Sequence, residues 1–272
     1  MLQGFLRLLA GLPLGVIQGL GWLLGWLVYG LSPAYRRRLR ENLAQSGICG
    51  SDEEFRRVWR LAAGESGKGI AELIVVWFRS LDRVDALVRE CLGWEHVEAA
   101  RAQGKGIIFL TPHLGCFDIS ALYAARRLPI TVLYRPPKLS WIEPLMRAGR
   151  ARGRVTLAPT DLRGVRALFR ALKRGQAAGL LPDQAPGLGE GVWADFFGRP
   201  AYTMTLAARL AGASGAAVLP AYARRLKGGR GYIIVIKPRL DLPAGPEDAA
   251  AAVNRAVEDL VRECPEQYLW SY

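Results

Sequence analysis

The stretch Gly106–Leu128, GIIFLTPHLGCFDISALYAARRL, restricts the fold more than any other part of the chain. Gly106 to Leu110 is a short apolar run of strand length. Thr111 and Pro112 then punctuate it, and a helical pattern starts near Phe117. An apolar strand that turns at once into a helix is a strand-to-helix corner of an α/β domain. The same alternation recurs downstream. Strands are predicted at Ile130–Tyr134, Val155–Leu157, Ala177–Leu181 and Ala216–Tyr222. Helices are predicted over about Ser140–Arg152 and Asp161–Arg174, then 203–212 and Glu247–Glu263. Gly231–Lys237 closes the sheet as an antiparallel strand. The expected fold is α/β: a mixed, largely parallel central sheet covered by helices on both faces. The glycine-rich stretch Ala185–Arg199 is expected to be a functional or mobile loop.

The corner places His113, one of two histidines in the chain, at the C-terminal end of a strand. That edge is where open α/β sheets build their sites. Asp118 follows five positions later, in the first helical turn. A carboxylate there reaches back to an imidazole N–H, fixes the tautomer and leaves the other ring nitrogen as a general base. The competing reading is a helix cap with surface polarity. The second histidine, His96 in GWEHVEAA, reads as a surface or capping residue with no chemistry.

Between Arg7 and Arg36 no residue is charged, and Leu8–Leu31 is 24 residues long. At about 1.5 Å per residue such a helix spans the roughly 30 Å hydrocarbon core. Residues 1–34 therefore read as a membrane anchor and 35–272 as one domain. Gly11, Gly15 and Gly19 leave one smooth stripe, and Trp22, Trp26 and Tyr29 lie toward the far end as interface anchors. Arg36, Arg37, Arg38 and Arg40 follow directly, so the positive-inside rule places the domain in the cytoplasm. The cluster also suits anionic headgroups. Ser51–Glu54, SDEE, opens a long helix with a capping box.

The net charge is +13, and 31 of the 37 basic residues are arginine. An acidic partner is implied, and the arginine fork suits phosphate and carboxylate. No nucleic-acid motif, P-loop, strand-borne GxGxxG or GxSxG elbow is present. Cys49, Cys91, Cys116 and Cys264 are scattered, which reads as four reduced thiols and no metal site. Cys116 lies inside the corner motif; packing is its commoner use, and a nucleophilic role is the alternative.

Four blocks, TPHLGCFD, YRPPK with the arginines that follow, LLPDQ and FFGRPAYT, carry a resemblance that covers nearly the whole chain. The chain resembles the late acyltransferases of lipid A biosynthesis, the lauroyl/myristoyl transferase group of the lysophospholipid acyltransferase superfamily. The resemblance implies an acyl carrier protein thioester as donor, a lipid A precursor hydroxyl as acceptor, and no cofactor. It implies His113 as the base, Asp118 as its partner, Arg150 at the catalytic pocket, and Asp183 of LLPDQ in the substrate site. Arg135 and Lys138, positive residues at the end of the second strand, join them as substrate-binding candidates. A bacterial inner-membrane location follows from the same resemblance. The second motif position is Asp118, where many of these enzymes carry Glu, and a basic tail beyond Tyr272 is expected. The rival readings are an acyltransferase acting on a phosphatidylinositol mannoside or lysophospholipid, and a non-catalytic protein that binds anionic lipid.

Overall fold

The structure is a computed structural model that describes residues 2–137 and 139–271. The uncharged N-terminal stretch is two helices. Pro13 interrupts it, so α1 (Leu2–Ala10) ends before α2 (Leu14–Leu31) begins. The arginine cluster lies on α3 (Pro33–Gln45), which opens where Ser32 accepts a hydrogen bond from the Tyr35 amide. α4 (Asp52–Phe78) runs unbroken through its glycines. Half of the expected capping box forms: Ser51 accepts from the Glu54 amide, while the Glu54 carboxylate reaches one residue further back, to the Gly50 amide. Gly64 and Gly67 are where α2 crosses; a Cβ on Gly67 would lie 2.0 Å from the Gly21 carbonyl oxygen.

The short α5 (Leu81–Asp85) leads into the α/β part. Its strands are β1 (Val88–Leu92), β2 (Ile107–Leu110), β3 (Ile130–Tyr134), β4 (Val155–Pro159), β5 (Ala177–Leu180), β8 (Ala217–Arg225) and β9 (Tyr232–Ile236). Between them come α6 (Trp94–Ala102), α7 (Phe117–Arg127), α8 (Glu143–Arg150), α9 (Leu162–Lys173) and α10 (Leu206–Ser214). The sheet order is β1-β9-β8-β2-β5-β3-β4. All neighbours are parallel except β8 and β9, as expected for the closing strand. α11 (Pro246–Glu263) is the last long helix.

Strand alternation explains the layers. Ile107 and Phe109 of β2 pack with Val75, Val76, Ile119 and Leu122 from α4 and α7. Ile108 and Leu110 face the other way, onto Leu168, Leu172 and Leu210 from α9 and α10. Both faces are thus covered, and β2 is buried over its whole length.

Two elements differ from the sequence expectation. Part of the stretch read as a loop is β6 (Gly191–Phe196), which pairs antiparallel with β7 (Arg199–Met204) in a separate two-stranded sheet. Phe197 and Gly198 turn the hairpin with φ of 50° and 69°. Trp193 faces Tyr202 across it, and α10 starts only at Leu206 because β7 occupies the preceding residues. Glycines at the turns hid this pairing. β1 was not anticipated either, because VRECL is an edge strand with three exposed positions and no apolar run.

Candidate active site

β2 and β5 are adjacent and parallel, so the loops at their C-terminal ends lie side by side. The Thr111 amide extends the ladder to the Leu180 carbonyl oxygen at 2.9 Å. Beyond it His113 meets Asp183, 70 residues away in sequence. The His113 amide donates to Asp183 Oδ2 at 2.8 Å, and His113 Nδ1 lies 3.0 Å from Oδ1. Only 8% of the His113 side chain and 2% of the Asp183 side chain are exposed. An ionised carboxylate accepts only, so Nδ1 carries the proton and Nε2 is left with its lone pair. The Gln184 amide nitrogen faces Nε2 at 3.4 Å, and the Phe117 ring stands edge-on to the imidazole.

The carboxylate hydrogen-bonded to His113 Nδ1 is Asp183, and Asp118, the expected partner, is paired with Arg150. Arg150 grips it bidentately, Nε to Oδ1 at 2.7 Å and Nη2 to Oδ2 at 3.1 Å. The reason is reach: Asp118 sits in the first turn of α7 and is held by Arg150 of α8, whereas Asp183 arrives in the loop just past β5, the strand next to β2. Nε and Nη2 of Arg150 are thus engaged by Asp118, while Nη1 lies 3.6 Å from Met146 Sδ, and Arg150 lines the wall of the site. Arg135 is exposed at the end of β3. Lys138 lies outside the described residues.

The C-terminal segment holds the His113 loop from the other side. The Leu269 amide donates to the His113 carbonyl oxygen at 3.1 Å, and the Gly115 amide to the Gln267 carbonyl oxygen at 3.0 Å. Tyr268 is buried beside Asp183; burial first, then the charge of Asp183, raises its phenol well above its ordinary range. Gly115 has φ +62°, and a Cβ there would lie 1.9 Å from the Ala223 carbonyl oxygen. The Gly115 carbonyl oxygen accepts from Arg225 at 2.7 Å.

Arg225 is the centre of a buried charge cluster. It bonds Glu72 at 2.7 Å and Glu65 at 3.4 Å, and Glu72 also accepts from Gln18 of α2 at 2.7 Å. Burial alone would lower the guanidinium pKa; the two carboxylates outweigh it and raise it. Sequence reading missed this cluster. The one signal was Glu72 itself, an acid inside the apolar run of α4, which burial would require to be paired. Burial also pushes the Cys116 thiol well up, ahead of the Glu72 charge, so it is a packed thiol and not a thiolate.

Beside the corner lies an apolar chamber, part of it open to solvent. Thr111, Phe117, Asp118 and Arg150 form one part of its wall, and Trp94 and Ile236 another. A second groove of about 1270 Å3 runs past Asp183 and Gln184, between α3 and the β6–β7 hairpin.

A buried His–Asp pair at a strand-to-helix corner, next to an apolar chamber, is the arrangement of an enzyme site with an oriented imidazole and room for an apolar group. Comparison with known proteins gives the reaction class. It matches the bacterial lipid A biosynthesis acyltransferase family over residues 1–271, and it belongs to that family. It is an acyltransferase. It is 30% identical over 270 residues to the lipid A biosynthesis lauroyltransferase of Escherichia coli K12, covering 98% of this chain and 87% of that protein. It is 28% identical over 273 residues to the palmitoleoyltransferase of the same organism, with the same coverage. A phosphatidylinositol mannoside acyltransferase of Mycobacterium tuberculosis H37Rv is 29% identical over 217 residues, 78% of this chain and 63% of that protein.

Proposed function

We propose that this chain transfers a fatty acyl group from an acyl carrier protein thioester to a hydroxyl of a lipid A precursor, with His113 as general base. The observation that carries the reading is the His113–Asp183 pair beside the apolar chamber. The chamber takes the acyl chain, which aligns the thioester carbonyl beside the imidazole. The acceptor hydroxyl approaches Nε2, displacing the Gln184 contact. Nε2 takes the hydroxyl proton while the oxygen attacks the carbonyl carbon. The tetrahedral intermediate then collapses, the C–S bond breaks, and the thiolate recovers the proton from the imidazolium. Asp183 stabilises that imidazolium and holds its orientation. Asn42, Gln45 and Arg199 in the second groove offer amides and a guanidinium to a phosphorylated sugar. The proposed location is the cytoplasmic face of the inner membrane, with membrane lipids as further partners, a reading supported by the arginines that follow the apolar N-terminal stretch.

Purified protein with an acyl carrier protein thioester and a lipid A precursor should give an acylated product by mass spectrometry. His113→Ala should reduce the rate by roughly 10²–10⁴. No product from the wild-type chain would remove this reading. The mycobacterial relative favours a second acceptor, a phosphatidylinositol mannoside, and the same assay with that lipid decides between them.

A further inference from the structure

By length and composition alone α2 could cross a bilayer. Its packing argues otherwise. One face, Leu14, Ile17, Gln18, Gly21, Gly25 and Tyr29, is buried. The glycines bring backbone against backbone: a Cβ on Gly25 would lie 2.2 Å from the Ala63 carbonyl oxygen of α4. Gln18 adds a polar lock, donating to Glu72, which in turn holds Arg225. α4 carries Arg56, Arg57, Arg60, Glu65, Lys68 and Glu72, so it has no place in hydrocarbon. A spanning α2 would either drag those charges into the bilayer or strip Glu72 and Arg225 of their cover.

The opposite face of α2 is uncovered. Val16, Leu20, Leu23, Leu24, Leu27 and Leu31 are exposed, Leu23 by 66% and Leu31 by 75%. Their spacing of three and four residues puts them on one stripe. α1 continues the apolar surface with Phe5 and Leu8. Trp22 and Trp26 are half-buried at the border, and Lys68 Nζ stands 5.0 Å over the Trp22 ring. Immediately past Leu31, α3 exposes Arg36, Arg37, Arg38 and Arg40. A helix buried on protein along one side, leucine-rich along the other and followed by arginines fits the boundary between headgroups and acyl chains.

We propose that α2 lies in the plane of an anionic phospholipid surface, with its leucine stripe embedded, and does not cross the bilayer. Amino terminus and main domain then share one side of the membrane, and the site is held at the surface from which lipid substrates arrive.

The test uses the full chain with one epitope ahead of Met1 and another after Tyr272, in inverted inner-membrane vesicles. Added protease should digest both epitopes without detergent. Protection of either one until detergent is added means that α2 spans, and overturns the proposal. In parallel, Leu23→Glu with Leu27→Glu should weaken binding to phosphatidylglycerol-containing vesicles by about tenfold or more. The unfolding midpoint should hold, because both side chains are exposed. Unchanged vesicle binding overturns the proposal. Should the glutamates disturb folding, Arg37→Ser with Arg38→Ser decides: loss of binding to phosphatidylglycerol vesicles supports the anionic surface, and unchanged binding overturns it.

Discussion

Asp183→Asn is the substitution that tests the site most sharply. The carboxylate lies 3.0 Å from His113 Nδ1, which puts the charge centres about 4 Å apart once the ring is protonated. At an effective dielectric constant of about 20 that attraction is about 4 kcal/mol. It acts on the imidazolium, which exists only once the proton has moved, so it lowers the barrier by that amount and is worth roughly 10³ in kcat. The substitution has a second effect. Asp183 accepts from the His113 amide and from Nδ1. An amide presents one oxygen and one NH2, so either orientation sets a donor against a donor. With the NH2 toward Nδ1 the proton is forced onto Nε2, where the base is needed. The assay is steady-state acyl transfer from an acyl carrier protein thioester, with circular dichroism to verify folding. The expected result is a kcat about 10³ lower with nearly unchanged KM. Asp118→Asn leaves the His113–Asp183 pair intact and breaks the Arg150 fork, so its kcat should stay well above that of Asp183→Asn. If folded Asp183→Asn keeps more than roughly a tenth of wild-type kcat, the general-base argument fails. If Asp118→Asn shows the larger drop, Asp118 is the partner that matters.

Two further outcomes follow from the buried groups. Arg225→Met removes the partner of Glu72 and Glu65 and leaves the Gly115 carbonyl oxygen unbonded, which should cost about 3–5 kcal/mol in denaturant unfolding; adding Glu72→Gln should recover part of it, and a cost below about 1 kcal/mol would contradict the burial seen here. Cys116→Ala should keep most of the acyl-transfer rate, because the thiol is packed and protonated, and loss of activity with intact folding would revive a nucleophilic role.

The α/β layering was legible because it depends on local patterns. A strand buried on both faces must be apolar at consecutive positions, and a helix over a sheet must repeat at its own period, so the 106–128 corner was visible in the residues. The hairpin β6–β7 was not, since its pairing is made by residues that sit among turn glycines and show only partial burial. His113 was identifiable for a related reason, as a histidine at the end of a buried strand. Its partner was not.

What the sequence determined by itself is the apolar strands and covering helices of the main sheet, the corner that carries His113, and the family membership written in four short blocks. What only the tertiary structure decided is which acid lies against the imidazole and what one face of the apolar N-terminal helix packs on. Asp118 is five residues from His113, but helix geometry turns it toward Arg150. Asp183 is 70 residues away, and parallel pairing of β2 with β5 delivers it at 3.0 Å. In the same way the composition of α2 permits a membrane span, while the backbone contact with Gly64 and Gly67 and the Gln18–Glu72 bond fasten one side of it to the domain. Both outcomes depend on directions in space, which residue spacing along the chain does not contain.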